Sequence, residues 1–149
     1  MKKQYMFKNI IALLLLIFWA IIIFNFSNQP AVESAELSNN VLLEITKFLH
    51  ISITEHALRK LAHFTEYMIF GILMSNVFYS LKGQVHIVLS IACCAIYSIS
   101  DEIHQLFIVG RSCQITDMLI DTIGAIFGIF LIYIFVCFIK KKKIKEKNK

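Results

Sequence analysis

The chain has 149 residues, of which 58% are hydrophobic and 17% are charged, and its formal net charge is +5. A soluble domain is nearer about 45–50% apolar and about 25% charged, so the composition excludes an ordinary soluble protein and indicates an integral membrane protein. The positive charge lies mainly at the two ends of the chain. A basic face with interleaved aromatic residues is missing, which argues against a nucleic-acid partner.

Four apolar runs are each long enough for a helix that crosses the hydrocarbon core, which takes about 20 residues. In chain order they cover residues 9–26, 58–81, 85–107 and 115–139. The first run is long for a signal peptide and is expected to stay uncleaved. The sequence therefore predicts an all-α fold, an integral membrane four-helix bundle in a single domain over residues 1–149.

The segment between the first two spans is polar but carries apolar residues at helical spacing. They are Leu37, Val41, Ile45 and Phe48, with Leu49 beside the last. This pattern predicts a short amphipathic helix on the membrane surface. The histidines outside the spans' polar faces, namely His50, His56 and His86, are expected to be ordinary surface or interface residues.

The lysines predict the orientation of the chain. Lys2, Lys3 and Lys8 precede the first span, Lys82 lies in a short turn after the second, and a basic tail over residues 140–149 follows the fourth. Because Lys and Arg in short loops stay cytoplasmic, both termini are expected inside the cell. The predicted partner of these spans is therefore the lipid bilayer.

With this orientation, spans two, three and four carry ionisable residues near their outer ends. A charge at the centre of a span costs about 2.5–3.5 kcal/mol, and such residues usually mark function. Helical spacing puts Arg59, His63 and Glu66 on one face of the second span and Lys60, His63 and Tyr67 on a neighbouring face. On the third span it puts Asp101, His104 and Gln105 on one face, with Glu102 about 100° round the helix. The predicted ligand-binding residues are Arg59, Lys60, His63, Glu66, Asp101, Glu102, His104, Gln105, Arg111, Asp117 and Asp121.

The fourth span carries a second pattern beside its acids. Gly124 and Gly128 are four residues apart, and this small-x-x-x-small spacing predicts close packing against another helix. Asp117 also suits a helix N-terminus, where the helix dipole favours an acid. The whole polar set allows two interpretations, a ligand or catalytic site and a structural network of ion pairs.

The residues just described resemble those of the VanZ-like family of bacterial membrane proteins. The matching pieces are "FSNQP", "RKLAHFTEYMIFGIL" and "SISDEIHQLFIVGR" followed by "TDMLIDTIGAIFG". Thr122 stands where family members often have Asn. The resemblance implies a multi-pass protein of the bacterial cell envelope, and the family's namesake is associated with resistance to the glycopeptide antibiotic teicoplanin.

The first functional hypothesis is an outward-facing site that binds or processes a lipid-linked or amphiphilic ligand. Arg59, Lys60 and Arg111 suit a phosphate or carboxylate headgroup. A lipid-linked cell-wall precursor or a lipoglycopeptide would fit this chemistry. Gly110 would let the backbone of its loop approach such a ligand closely.

The main alternative is an intramembrane hydrolase or transferase that acts on a lipid phosphate or ester. Its candidate catalytic residues are His63, Glu66, Asp101 and His104, paired as acid and base along each helix. No metal and no cofactor is predicted, although two His and several carboxylates would allow a divalent ion under this alternative. Lipid transport and a purely structural role also remain open, as does the oligomeric state.

Overall fold

The computed structural model describes residues 2–49 and 54–147, and all regular structure within them is helical. The five helices are α1 Lys2–Ser27, α2 Ala31–Leu49, α3 Glu55–Lys82, α4 Ile87–Gln105 and α5 Ile115–Lys147. The all-α prediction is confirmed. His50, Asn148 and Lys149, and the side chains of Ile45, Phe48 and Leu49, lie outside what the structure describes.

The ends of α3 are set by local chemistry. The Thr54 hydroxyl caps its first turn by accepting a hydrogen bond from the Ala57 N–H at 3.2 Å. Gly83 ends the helix with φ of 71°, and its N–H donates to the Tyr79 carbonyl. This left-handed position suits glycine, and it makes the predicted turn after Lys82.

Several helices run further than the apolar runs predicted. α1 begins at Lys2, α5 continues through the basic tail to Lys147, and α2 is a 19-residue helix that starts directly after Pro30. Lysine is a good helix former, and no Gly or Pro interrupts the tail. Hydropathy therefore marked where the chain is apolar and underestimated where it is helical.

Among the described residues, three helical segments are long and apolar enough to cross a membrane, namely Met6–Ser27, Ile87–Gln105 and Ile115–Glu146. The run predicted as the second span, now α3, is not among them. α3 contacts each of the other four described helices. Much of its surface therefore faces protein, which is a physical reason for its more polar sequence.

Glycines bring α3 and α5 into backbone contact. A Cβ atom added at Gly124 would overlap the backbone of Phe64 on α3, and one added at Gly128 would overlap the backbone of Met68. Gly71 makes the reciprocal approach from α3 to α5. The close packing predicted from the glycine spacing of the fourth span is confirmed, and it fixes the half of α3 that carries His63 against the start of α5.

Polar side chains tie α1 to this pair of helices. The Trp19 indole N–H donates to the Glu66 carbonyl at 2.9 Å, and the Tyr97 hydroxyl donates to the Ala20 carbonyl at 2.8 Å. Tyr97 also packs against Phe70, with their ring centroids 4.7 Å apart. The C-terminal end of α1 thus lies beside the polar halves of α3 and α4.

Candidate functional site

A group of three side chains, of which two are buried and His63 is largely buried, lies where α3, α4 and α5 meet. His63 Nδ1 is 3.3 Å from Asp121 Oδ1. His63, Glu102 and Asp121 each offer one ligand-type atom, and these atoms lie within 4.8 Å of one another. Glu102 and Asp121 are fully buried. We call these three residues the buried trio.

Neighbouring groups hold the two acids of the trio in place. The Ser98 hydroxyl donates to Asp121 Oδ2 at 3.0 Å, and the Gln114 backbone N–H donates to Glu102 Oε2 at 2.9 Å. One oxygen of each carboxylate is therefore occupied. The other oxygen of Asp121 is the one that lies 3.3 Å from His63 Nδ1, and Glu102 Oε1 has no hydrogen-bond partner among the described residues.

The face of α4 that enters the site differs in part from the predicted one, because Glu102 replaces His104. Asp101, His104 and Gln105 were expected to face inward together, with Glu102 turned towards another neighbour. In the structure Glu102 joins the buried trio, whereas His104 stacks on Phe24 of α1 with ring centroids 4.7 Å apart. His104 Nε2 also lies 3.3 Å from Asn28 Oδ1.

Packing explains this correction. The buried residues of α4 include Ser90, Cys94, Ser98 and Glu102, which recur every four positions. The three small side chains of this series let α4 approach its neighbours, and the next position in the series is Glu102. His104 lies off this stripe and faces α1.

Asp101 and Gln105 do face inward, towards the end of α1. Gln105 Nε2 donates to the Ser27 hydroxyl at 2.9 Å. The Asp101 carboxyl group lies beside Ser27 and Tyr67. These contacts join α4 to α1 and α3 at the edge of the buried trio.

Lys60 has a protein partner of its own. Its ammonium group forms an ion pair with the Asp117 carboxylate, and both side chains are largely buried. Lys60 was expected to serve a headgroup, but this pair occupies it. Asp117 was also considered as a helix N-terminal acid, and it lies in the first turn of α5 as that interpretation requires.

The two arginines differ in their partners. Arg111 Nε donates to the Gln29 carbonyl at 2.8 Å, and its Nη2 donates to the Phe26 carbonyl at 3.1 Å. Carbonyls at the end of a helix such as α1 lack intrahelical partners, and a cation there is favoured by the helix dipole. Arg59 forms no hydrogen bond or ion pair with the described part of the chain.

The arginines nevertheless share one region of positive charge. Burial lowers the pKa of the Arg111 guanidinium, and the neighbouring charge of Arg59 lowers it further. An arginine remains protonated in proteins even so. Two guanidinium charges therefore stand close together with no carboxylate in an ion pair with either of them among the described residues.

A cavity of about 290 Å³ opens beside these arginines, between the end of α1, α2 and α3. One part of its wall is apolar and comes from α1, α2 and the first turn of α3, through Ile23, Phe26, Leu37, Val41 and Leu58. The other part is polar and comes from Arg59, His63, Glu66, Asp101 and Arg111. The cavity is thus amphiphilic, and His63 belongs both to its wall and to the buried trio.

The loop between α4 and α5 closes against the start of α2. The Ala31 N–H donates to the Val109 carbonyl at 3.1 Å. Gly110 has φ of 76°, and a Cβ atom there would come 3.0 Å from the Ala31 side chain. Gly110 thus permits a close approach, and the partner it approaches is the protein's own α2.

Most of the predicted polar residues therefore converge, and a few neighbours were missed. Ser98 and the Gln114 N–H, which orient the trio, were not predicted. Ser98 could have been found from its spacing, because it lies one helical turn before Glu102. His104 is the predicted residue that the structure places apart from the others.

A protein-family model described as VanZ/LLP1 matches residues 12–136 of the chain. The match covers most of the molecule and includes every residue of the predicted site. No curated protein and no solved structure matches the chain.

Proposed function

Since the chain belongs to the VanZ/LLP1 family, as its resemblance to VanZ-like proteins predicted, we propose that it binds an anionic amphiphile in the bacterial cell envelope. Three helices among the described residues have the character of membrane spans, which supports a place in the membrane of the envelope. The binding site is the amphiphilic cavity. Arg59 and Arg111 bind the headgroup, and the apolar wall contacts the adjoining carbons of the ligand's hydrocarbon chain.

The proposal includes the arrangement of the protein in the membrane. α3 acts as a fourth span, α2 lies at the outer surface, and both termini are cytoplasmic. A helix of 28 residues is about 42 Å long, which is enough to cross the hydrocarbon core. Lys82 and the basic tail then share the cytoplasmic side, as the positive-inside rule requires.

The observation that carries the proposal is the guanidinium of Arg59, which has no partner among the described residues and lies at the polar end of a cavity with an apolar wall. A guanidinium binds phosphate or carboxylate through two parallel hydrogen bonds. A cavity of about 290 Å³ is at the small end of ligand sites, so it takes a headgroup and the first carbons of a chain.

Two carboxylates refine the ligand class. Glu66 and Asp101 line the same cavity, and both accept hydrogen bonds when ionised. A headgroup that combines an anion with hydroxyl or amide donors satisfies both signs of charge. A lipid-linked cell-wall precursor has this chemistry, and so does a lipoglycopeptide.

Loss of Arg59 is expected to weaken binding of a lipid phosphate. For Arg59→Gln, dioctanoyl phosphatidic acid should bind about tenfold or more weakly than to the wild type, because a charge-assisted hydrogen bond is worth about 1.5–3 kcal/mol. Calorimetry on the purified full chain in detergent measures this, with dioctanoylglycerol as the neutral lipid. Lys82→Gln removes the same charge at the other end of α3 and should bind like the wild type.

The outcome that contradicts the proposal is equal binding of the charged and neutral lipids by the wild type. Unchanged affinity in Arg59→Gln would do the same. Release of inorganic phosphate from the same lipid distinguishes turnover from binding.

The family's association with teicoplanin suggests a cellular test. We propose that ligand binding at this site lowers susceptibility to teicoplanin, so cells that express Arg111→Ala or Asp101→Asn should be as susceptible as cells with an empty vector. The minimum inhibitory concentration is compared at matched expression in the membrane, with Lys82→Gln as the control. Wild-type protection by both variants rules out a role for the cavity in resistance.

The hydrolase or transferase alternative has one observation in its favour. His63 Nδ1 and Asp121 Oδ1 lie 3.3 Å apart next to the cavity, and an imidazole beside a carboxylate is a common arrangement for a general base. The pairing differs from the predicted one, in which His63 was matched with Glu66 and His104 with Asp101. His104 stacks on α1 instead.

A further inference from the structure

The buried trio contains two acids but one basic side chain. Glu102 and Asp121 are both fully buried, and Glu102 Oε1 has no hydrogen-bond partner among the described residues. A buried carboxylate is costly unless it is paired or bound to a metal. The unpartnered oxygen therefore needs an explanation.

Within the described residues, the nearby Lys60 and Arg111 form no ion pair with Glu102 or Asp121. Lys60 is paired with Asp117, and Arg111 donates to the carbonyls at the end of α1. Within the described ranges, His63 is the only basic side chain that forms an ion pair with either acid of the trio. One imidazole, even when protonated, offsets one of two carboxylates.

The geometry suits a metal ion. Imidazole nitrogen and carboxylate oxygen are ligands that Zn²⁺ and Mn²⁺ accept. The ligand atoms of the trio lie within 4.8 Å of one another. Bonds of about 2.1 Å to one ion would need these atoms to move together by roughly 1 Å, which side-chain rotation can supply.

The surroundings of the trio are those of a metal site. The Ser98 hydroxyl and the Gln114 N–H each occupy one carboxylate oxygen, which leaves Asp121 Oδ1 and Glu102 Oε1 available as metal ligands. Such outer contacts orient metal ligands and set their affinity. The three ligands come from three different helices, so no short motif announces them in the sequence.

We infer that His63, Glu102 and Asp121 bind one divalent metal ion of the Zn²⁺ or Mn²⁺ class. The ion balances the two buried carboxylates and joins α3, α4 and α5. Three protein ligands leave a coordination position open. Because His63 also lines the cavity, that position adjoins the proposed headgroup site, but the metal site stands without it.

Metal content is the test. The purified full chain is stripped with a chelator, loaded with Zn²⁺ or Mn²⁺, desalted and analysed by inductively coupled plasma mass spectrometry. The wild type should retain about one ion per chain, and Asp121→Asn and Glu102→Gln should bind it about 100-fold more weakly or worse. Glu146→Gln removes an exposed acid from the same helix and should retain the ion.

Two outcomes overturn the inference. The first is a folded wild type that retains neither metal, and the second is retention by Asp121→Asn equal to that of the wild type. Should Glu102→Gln fail to fold, Co²⁺ loading replaces it, since the visible absorption of bound Co²⁺ must change in His63→Gln. An unchanged spectrum counts against the site. Lipid binding by Arg59→Gln is independent of all these results.

Discussion

Replacement of Gly128 by leucine is expected to lower the free energy of unfolding by about 3 kcal/mol or more, because no side chain fits at that position. A Cβ atom there would overlap the Met68 backbone of α3. Backbone cannot rotate away as a flexible side chain can, so α3 and α5 would have to separate. Separation would also disturb the contact between His63 and Asp121.

The measurement is unfolding of the purified variant in mixed detergent micelles, followed by circular dichroism as the denaturing detergent is increased. Ile134→Leu is the control, since Ile134 lies on the same helix with 62% of its surface exposed. It should unfold like the wild type. A Gly128→Leu variant with the wild-type midpoint would contradict the close packing of α3 and α5.

Replacement of His63 by leucine should destabilise the fold by a similar amount. The change removes the basic partner of Asp121 and leaves two fully buried acids, Asp121 and Glu102, beside each other. Removal of one partner of a buried charged pair costs about 3–5 kcal/mol. His56→Leu, on the exposed first turn of the same helix, should cost far less.

A double-mutant cycle isolates the contribution of the pair. Added to His63→Leu, Asp121→Asn removes the stranded charge, so the two changes should couple by about 1–3 kcal/mol. A chelator in the buffer keeps bound metal out of the comparison. Simple additivity of the two changes, or equal stability of His63→Leu and His56→Leu, would show that the pair does not stabilise the fold.

Hydropathy located the helices well because apolar length is what a membrane requires. It predicted the positions of α1, α4 and α5 and missed the extensions of α1 and α5 into the lysine-rich ends of the chain. α3 was harder to interpret, since its polar face is in contact with neighbouring helices and not with lipid. A single sequence contains no information on which helices will surround which.

The sequence predicted which polar residues lie close together better than it predicted their arrangement. Costly ionisable residues at similar depths pointed to His63, Asp117 and Asp121. The error concerned α4, where the spacing of polar residues favoured His104 and the packing of small residues placed Glu102 inside. The stripe that starts at Ser90 was visible in the sequence, and small residues decide which face of a helix can come close to its neighbours.

The contacts of Arg111 predict how the cavity responds to a bound ligand. It reaches across from the α4–α5 loop to the end of α1, while the Ala31 N–H holds the start of α2 to the same loop. A guanidinium has five N–H donors, so Arg111 can keep its two carbonyls and still grip an anion. Ligand binding would then restrict the motion of the segment that joins α1 and α2. Slower amide hydrogen exchange in that segment would reveal a bound ligand before its identity is known.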